Sequence, residues 1–227
     1  MAAVDGVSSR TVIKVLVVDD DWLVRSGLVM ILGGAPDIEV VGEAADGQEA
    51  IDAARRNRPD VVLMDIRMPR LDGLGATEQI CAWPDPPKVI VLTTFDTDDD
   101  IARALGAGAS GFLLKHTKPP AIVDAIRKVA DGEPMLSPSV TSSLIAQIGA
   151  GTGPERLRAA QKRLARLTER EHEVALAVAE GLSNAEIAAR LYLSVATVKA
   201  HVHRLFTKLD VNNRVQVAIC VHDAGLV

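Results

Sequence analysis

Aromatic side chains are nearly missing from this 227-residue chain, which has two Trp, one Tyr and three Phe. Its interiors must therefore be built from Val, Leu, Ile and Ala, and an apolar share of 48% is enough for real cores. Cysteine is scarce as well. Cys81 and Cys220 stand far apart with no C-x-x-C spacing, so the expected compartment is the reducing cytoplasm. No apolar run approaches the roughly 20 residues that span a bilayer, so no membrane contact is expected. Asp5 comes early and no basic flank leads into an apolar stretch, so a secretory leader is not expected either. The length suits two domains of about 100–150 residues better than one.

An excess of positive charge is also lacking overall, since the formal net charge is −5. The two parts of the chain differ, however. Up to Pro154 there are 22 acidic and 14 basic residues, and from Glu155 onward 8 acidic and 11 basic. That asymmetry is consistent with an acidic module joined to a binder of polyanions.

What is present in the first part is an alternation of apolar runs and helical spacings. Strand signals lie at Thr11–Val18, Glu39–Gly42, Val61–Met64, Lys88–Thr93 and Gly111–Leu114. Helical signals lie at Trp22–Leu32, Gln48–Arg56, within Leu74–Ala82, at Thr97–Leu105 and at Ala121–Val129. Five short apolar strands separated by helices predict a parallel sheet covered on both faces. Right-handed crossovers make that a doubly wound α/β fold. The second part shows no strand. Ser137-Pro138 opens a predicted helix to about Ile148, and the cluster Gly149–Pro154 breaks the chain. A charged helix follows over Glu155–Arg166. Thr168-x-x-Glu171 and Ser183-x-x-Glu186 read as capping boxes, each heading an amphipathic helix. Two more helices are predicted over Val195–Leu209 and Arg214–Asp223.

Placed on that sheet, the strand ends carry chemistry. Asp19, Asp20 and Asp21 end the first strand, Asp65 the third, Thr93 and Thr94 the fourth, and Lys115 the fifth. A parallel sheet brings all these ends to one edge, where ligands of such folds bind. Two carboxylates about 4 Å apart repel by roughly 4 kcal/mol at an effective dielectric of 20. A hard divalent cation such as Mg²⁺ relieves the repulsion and accepts carboxylates plus water. A carboxylate can then act as nucleophile toward a phosphoryl donor and become an aspartyl-phosphate. Lys115 would neutralise phosphate charge, and Thr93 would donate a hydrogen bond. Asp21 is read instead as the cap of the next helix.

Val-Val-Asp19-Asp20-Asp21, Leu-Met-Asp65-Ile-Arg-Met-Pro69, Val-Leu-Thr93-Thr94 and Gly-Phe112-Leu-Leu-Lys115 resemble the signature set of response-regulator receivers. The resemblance covers about residues 11–130. It implies a flavodoxin/CheY-like receiver with Asp65 as phosphoacceptor. It also implies a metal site of Asp19, Asp20, Asp65 and the backbone carbonyl of Arg67. Thr93 is then the switch hydroxyl, with Thr94 beside it, Lys115 the phosphate-binding lysine, and Phe112 the switch aromatic that moves inward after Thr93. Two departures stand out. Phe112 lacks the hydroxyl of the Tyr that many receivers carry, and His116 follows Lys115 where many have Pro.

Leu167-Thr-Glu-Arg-Glu, Gly181-Leu-Ser-Asn-Ala-Glu-Ile-Ala and Ser194-Val-Ala-Thr-Val-Lys-Ala-His-Val resemble the LuxR/NarL helix-turn-helix family over about residues 165–225. On the recognition helix, Val198, Val202, Leu205 and Leu209 recur at helical spacing and are predicted core. Thr197, Lys199, Ala200 and His203 lie largely off that stripe and are the expected base-facing set. Lys208, near the helix C-terminus, is expected at a phosphate. His203 stands where relatives often have Lys, so base preference does not carry over. The last helix is unusually apolar for a terminal one; the resemblance implies that it pairs two copies on DNA, and packing against its own domain is the other reading.

The expected organisation is therefore a receiver over 11–131, a helical linker over 132–164 and a small all-α helix-turn-helix domain over 165–227. The whole reads as a NarL/FixJ response regulator. The resemblance implies a sensor histidine kinase, double-stranded promoter DNA and a second copy of the chain on activation as partners. Two other readings stay open, a phosphorylation-independent regulator and an aspartyl-phosphate phosphatase of the haloacid-dehalogenase type. The phosphatase needs a second acid two residues past the nucleophile, and that position holds Arg67, so an enzyme is not expected. Gly106-Ala-Gly108-Ala-Ser-Gly111 matches a dinucleotide motif in letters only. It ends a helix and opens a strand, the reverse of what the motif requires. His201 and His203 diverge on a helix and make no metal pair. The acidic run Asp96–Asp100 reads as helix-capping charge.

Overall fold

A computed structural model describes residues 12–94, 103–133, 135 and 154–227. Five parallel strands, β1 (Ile13–Val18), β2 (Ile38–Ala44), β3 (Val61–Asp65), β4 (Lys88–Thr93) and β5 (Gly111–Leu114), form one sheet in the order β2-β1-β3-β4-β5. Strand alternation sorts their side chains onto two faces. Leu16, Val18, Val62, Met64, Val89, Val91 and Phe112 join one core cluster. Val15, Val17, Val61, Leu63, Ile90, Leu92 and Leu113 join the other. Helices α2 (Gly47–Asn57) and α3 (Gly73–Cys81) cover the first face with Ala50, Ile51, Leu74 and Ile80. Helices α1 (Trp22–Gly33) and α4 (Pro119–Ala130) cover the second with Leu28, Leu32, Ile122 and Ile126. A sheet buried on both sides explains why its strands read as continuous apolar runs.

The predicted elements that fall on described residues are found within a few residues of their expected ends. Asp21 caps α1 by accepting a hydrogen bond from the Leu23 N–H at 2.8 Å. Of the helix expected over Thr97–Leu105, residues 103–105 are helical and the rest lies outside the described residues. The acidic run Asp96–Asp100 and the helix expected from Ser137 lie outside them as well. The glycine motif is a turn: Gly108 has φ +103 and leads into β5.

The C-terminal unit holds α5 (Pro154–Leu164), α6 (Glu169–Ala179), α7 (Asn184–Leu191), α8 (Val195–Leu209) and α9 (Arg214–Asp223). Both capping boxes form, Thr168 with Glu171 and Ser183 with Glu186. Val198, Val202, Leu205 and Leu209 of α8 are buried with Val174, Val178, Ile187, Val217 and Val221. Composition placed the charged helix in the linker, yet α5 contributes Ala160 and Leu164 to this same core. The last eleven residues of the linker, Pro154–Leu164, are thus built into the DNA-binding unit.

Candidate functional site

At the carboxyl edge of the sheet, one oxygen each of Asp19, Asp20 and Asp65 lies within 4.8 Å of the others. Asp19 and Asp65 are buried, whereas Asp20 is exposed at the mouth. Lys115 reaches in from the end of β5. Its ammonium is 2.7 Å from Asp19 Oδ2 and 3.1 Å from Asp65 Oδ1. Asp19 Oδ2 is buried, and the Lys115 ammonium is its charged partner. Burial raises the Asp65 carboxyl above the usual carboxylate range. The Lys115 charge lowers it and the neighbouring Asp19 raises it further. For Lys115, burial opposes the charged form, but hydrogen bonds and attraction from Asp19 and Asp65 outweigh it and raise its pKa. Three acids against one ammonium leave an excess of hard oxygen donors. A divalent cation such as Mg²⁺ fits this set, because one oxygen from each of three carboxylates converges here within 4.8 Å.

The phosphoacceptor candidate sits on a tight loop. A Cβ on Gly73 would lie 1.7 Å from the Asp65 carbonyl oxygen, so only glycine lets α3 begin so close to the end of β3. The Gly73 N–H closes the loop on the Ile66 carbonyl at 2.9 Å. Arg67 lies on that loop and is exposed. Thr93 is buried, Thr94 is exposed, and the Lys115 N–H donates to the Thr93 carbonyl at 2.7 Å. Phe112 differs from expectation. It is already 0% exposed, packed in the first-face core, so no swing from the surface is available to it. A phenyl ring without a hydroxyl has nothing to hold it in water.

On α8, Lys199, Ala200 and His203 are exposed and Thr197 is half-buried. Ser194 caps the helix, accepting from the Thr197 N–H at 3.1 Å. Lys208 does not stand free for a phosphate. It donates to Glu171 Oε2 at 2.7 Å, and the Glu171 side chain is only 4% exposed. Burial alone would raise Glu171, but the bonds from Lys208 and from the Thr168 backbone and hydroxyl, together with the Lys208 charge, hold its carboxyl at about 2. Lys208 therefore neutralises a buried capping acid inside its own unit.

Residues 15–127 match the family model described as the response regulator receiver domain. Residues 165–221 match that of bacterial regulatory proteins of the luxR family. The transcriptional regulatory protein LiaR of Bacillus subtilis is 42% identical over 218 residues, covering 95% of this chain and 99% of LiaR. This chain is a LuxR-type response regulator. The response regulator VraR of Staphylococcus aureus is 40% identical over 215 residues, again 95% of this chain and 99% of VraR. Among solved structures, the response regulator ChrA of a heme-sensing two-component system aligns with TM-score 0.52 and 35% identity, over 96% of this chain and 100% of ChrA. A structure of RcsB dimers bound to DNA aligns with TM-score 0.55 and 25% identity, over 93% of this chain and 98% of RcsB. The regulator thus joins a receiver to a LuxR-type DNA-binding domain, as transcriptional regulators of two-component systems do. No described helix is long and apolar enough to cross a membrane.

The regulator's two units are docked, and this sequence reasoning did not foresee. Lys199 Nζ donates to Asp131 Oδ1, just past α4, at 2.8 Å. The Asn184 side chain donates to the Asp131 carbonyl at 3.1 Å, and its N–H to Glu133 Oε1 at 3.3 Å. Arg214 Nη1 donates to Asn184 Oδ1 at 2.9 Å and Nη2 to the Leu182 carbonyl. Asn213 caps α9 through Oδ1, which accepts from the Gln216 N–H at 2.8 Å. Its Nδ2 donates to the carbonyls of Leu105 and Ala109 at 3.2 and 2.8 Å. Gln216 Nε2 adds a bond to the Leu105 carbonyl at 2.8 Å. Val215 and Ile219 of α9 pack into the receiver core. Lys88, which opens β4, lies over the Phe206 ring, 5.2 Å from its centre. The seam thus runs along the amino edge of the sheet, opposite the acidic pocket. No sequence motif marks it, because its partners are 51 to 118 residues apart.

Proposed function

We propose that the regulator accepts a phosphoryl group on Asp65 from a sensor histidine kinase and that this frees its DNA-binding unit from the receiver. In this reading the receiver spans 11–131, the linker 132–164, whose closing helix α5 packs into the DNA-binding core, and the DNA-binding domain 165–227. Asp19, Asp20, Asp65 and the Arg67 carbonyl would hold Mg²⁺, which draws in the phosphodonor and offsets its charge. A carboxylate oxygen of Asp65 attacks phosphorus while the bond from phosphorus to the donor breaks. Lys115 then turns from the two acids to the phosphoryl oxygens, and the Thr93 hydroxyl, with Thr94 beside it, donates to them. The modification adds about 1.5–2 negative charges at the carboxyl edge. Rearrangement of Thr93, two residues along β4 from the Val91–Phe112 pair, is passed along β4 and β5 to Leu105 and Ala109, where Asn213 and Gln216 are bound.

The observation that carries this reading is the pairing of Lys199 with Asp131. A lysine expected at the DNA is neutralised by the receiver, and α9, the helix expected to pair two copies, is half covered by it. Release frees both at once. Two recognition helices can then reach promoter half-sites about one DNA turn apart, as a homodimer in the cytoplasm. Moving from 1% to 99% open requires about 5.5 kcal/mol of differential stabilisation, shared between phosphorylation and dimerisation. No turnover is assigned to the pocket, because Arg67 occupies the place of a general acid.

The test is DNA affinity for a selected binding sequence, by fluorescence anisotropy at fixed salt, with and without Mg²⁺ and beryllofluoride. Tightening by about tenfold, or 1.4 kcal/mol, with a two-copy footprint is expected. An unchanged affinity would favour regulation independent of phosphorylation. With a small phosphodonor in place of beryllofluoride, steady release of inorganic phosphate far in excess of the protein would restore the phosphatase.

A further inference from the structure

The acids Asp19 and Asp20 follow the last residue of β1, Val18, so their carbonyls have passed beyond the strand ladder. A single side chain takes both. Arg25, on the first turn of α1, donates from Nη1 to the Asp19 carbonyl at 2.6 Å and to the Asp20 carbonyl at 3.4 Å. Its Nε lies 3.5 Å from Glu43 Oε2 on the neighbouring strand β2, and its side chain is only 18% exposed. Helix and loop are joined again where the Arg25 N–H donates to the Asp21 carbonyl at 3.1 Å. The Asp19 N–H donates to the Ala44 carbonyl at 3.2 Å, which ties the same loop to β2. The guanidinium thus fixes two successive peptide planes, and with them the directions in which both carboxylates leave the backbone.

We propose that Arg25 is the positioning residue of the acidic pocket, holding Asp19 and Asp20 in the geometry that a divalent cation requires. This rests on the reading of the pocket as a Mg²⁺ and phosphoryl site. The choice of residue is informative because Arg25 carries the wrong charge for its task. Viewed as a charge alone, a guanidinium beside a cation site repels the cation, so removing it would tighten binding. Viewed as a hydrogen-bond donor, it orients the groups that hold the ligands. Such outer partners typically govern metal affinity by about 10–100-fold. The two roles predict opposite signs. Glu43 offsets part of the guanidinium charge without touching either carbonyl, so it reports on charge alone.

The experiment is a Mg²⁺ titration of the full chain followed by tryptophan fluorescence. Trp22 is 67% exposed and directly follows Asp21, so it serves as the reporter. The variants are Arg25→Ala, Arg25→Gln, Arg25→Lys and Glu43→Gln, each checked for folding by far-UV circular dichroism. Arg25→Ala is expected to weaken Mg²⁺ by about tenfold. Arg25→Gln, uncharged but able to donate to one carbonyl, and Arg25→Lys, charged with one donor group, are both expected to recover part of that loss. Glu43→Gln is expected to stay within about twofold of the unaltered chain. Equal or tighter Mg²⁺ binding in both Arg25→Ala and Arg25→Gln overturns the assignment. If Arg25→Ala does not fold, Arg25→Gln against Arg25→Lys decides. Partial weakening in both supports positioning, and tightening in Gln alone overturns it. A saturable Mg²⁺ response absent from the unaltered chain itself would instead overturn the underlying reading of the pocket.

Discussion

Among the described residues, three carboxylates and a single ammonium meet at the carboxyl edge of the sheet, whereas at the amino edge donors and acceptors are matched almost one to one. The six residues of β4 separate the two edges by about 20 Å, at roughly 3.3 Å per residue. At the first edge, charge of one sign is left over, with the Lys115 ammonium shared between Asp19 and Asp65. At the second, Asn213 satisfies two backbone carbonyls and its own helix end with one amide. An unbalanced site is one that gains by taking up a ligand. A balanced one gains nothing from a ligand and serves to hold two parts together. The difference separates a site that receives a signal from a contact that the signal must break.

The comparison breaks most completely at Asp65. Asp65→Ala is expected to abolish covalent phosphoryl incorporation and all response of DNA affinity to a phosphodonor. Retained response in that variant would sink the assignment of the carboxyl edge as receiver of the signal.

The amino edge can be opened without touching the pocket. Asn213→Asp keeps an oxygen to cap α9 but sets a carboxylate against the Leu105 and Ala109 carbonyls. Losing buried hydrogen bonds of this kind costs about 1–3 kcal/mol each. The variant is therefore expected to bind DNA at least about fivefold more tightly without phosphodonor, by anisotropy. Asp131→Asn removes only an exposed ion pair, of order 0.2–1 kcal/mol, and is expected to raise unstimulated affinity by less than about fivefold. If neither variant changes affinity, the seam does not restrain DNA binding.

A smaller effect sharpens the statement that the pocket is unbalanced. Burial raises the Asp65 carboxyl, ahead of the opposing Lys115 charge. An acid raised on folding opposes the folded state fully above its folded value; the opposition falls as pH drops through that value and is gone below the ordinary 3.8. Asp65→Asn is therefore expected to stabilise the unphosphorylated chain at neutral pH, by about 2–4 °C in melting temperature for roughly 1 kcal/mol. A lower melting temperature would mean that Lys115 already balances the site.

The DNA-binding unit supplies the converse case, a buried acid that is fully matched. Glu171 is held at about 2 against an ordinary 4.5. Its contribution to stability is present above about 4.5 and is lost as pH falls toward 2. Glu171→Gln is expected to lack this pH dependence, read as denaturant midpoint across that interval. Lys208→Gln is expected to lower stability while leaving the salt dependence of DNA binding unchanged. A slope reduced by about one phosphate contact would return Lys208 to the DNA.

Much of this molecule is legible without coordinates. The apolar runs ending in Asp19, Asp65, Thr93 and Lys115 belong to a sheet whose parallel strands can only place those ends along one edge. Capping boxes at Thr168 and Ser183 act within four residues, so their letters suffice. Period alone assigns Val198, Val202, Leu205 and Leu209 to the core of α8. Tertiary structure decided the rest. It gave Lys208 to Glu171, buried Phe112 from the outset, and built α5 into the DNA-binding core. It also placed Arg25 on two carbonyls, and Lys199 and Asn213 on a receiver surface some 70 to 110 residues away. Periodicity and capping are properties of neighbouring residues and survive in the one-dimensional string. Which polar group meets which across a packed interface depends on where whole elements settle against each other, and no local spacing records that.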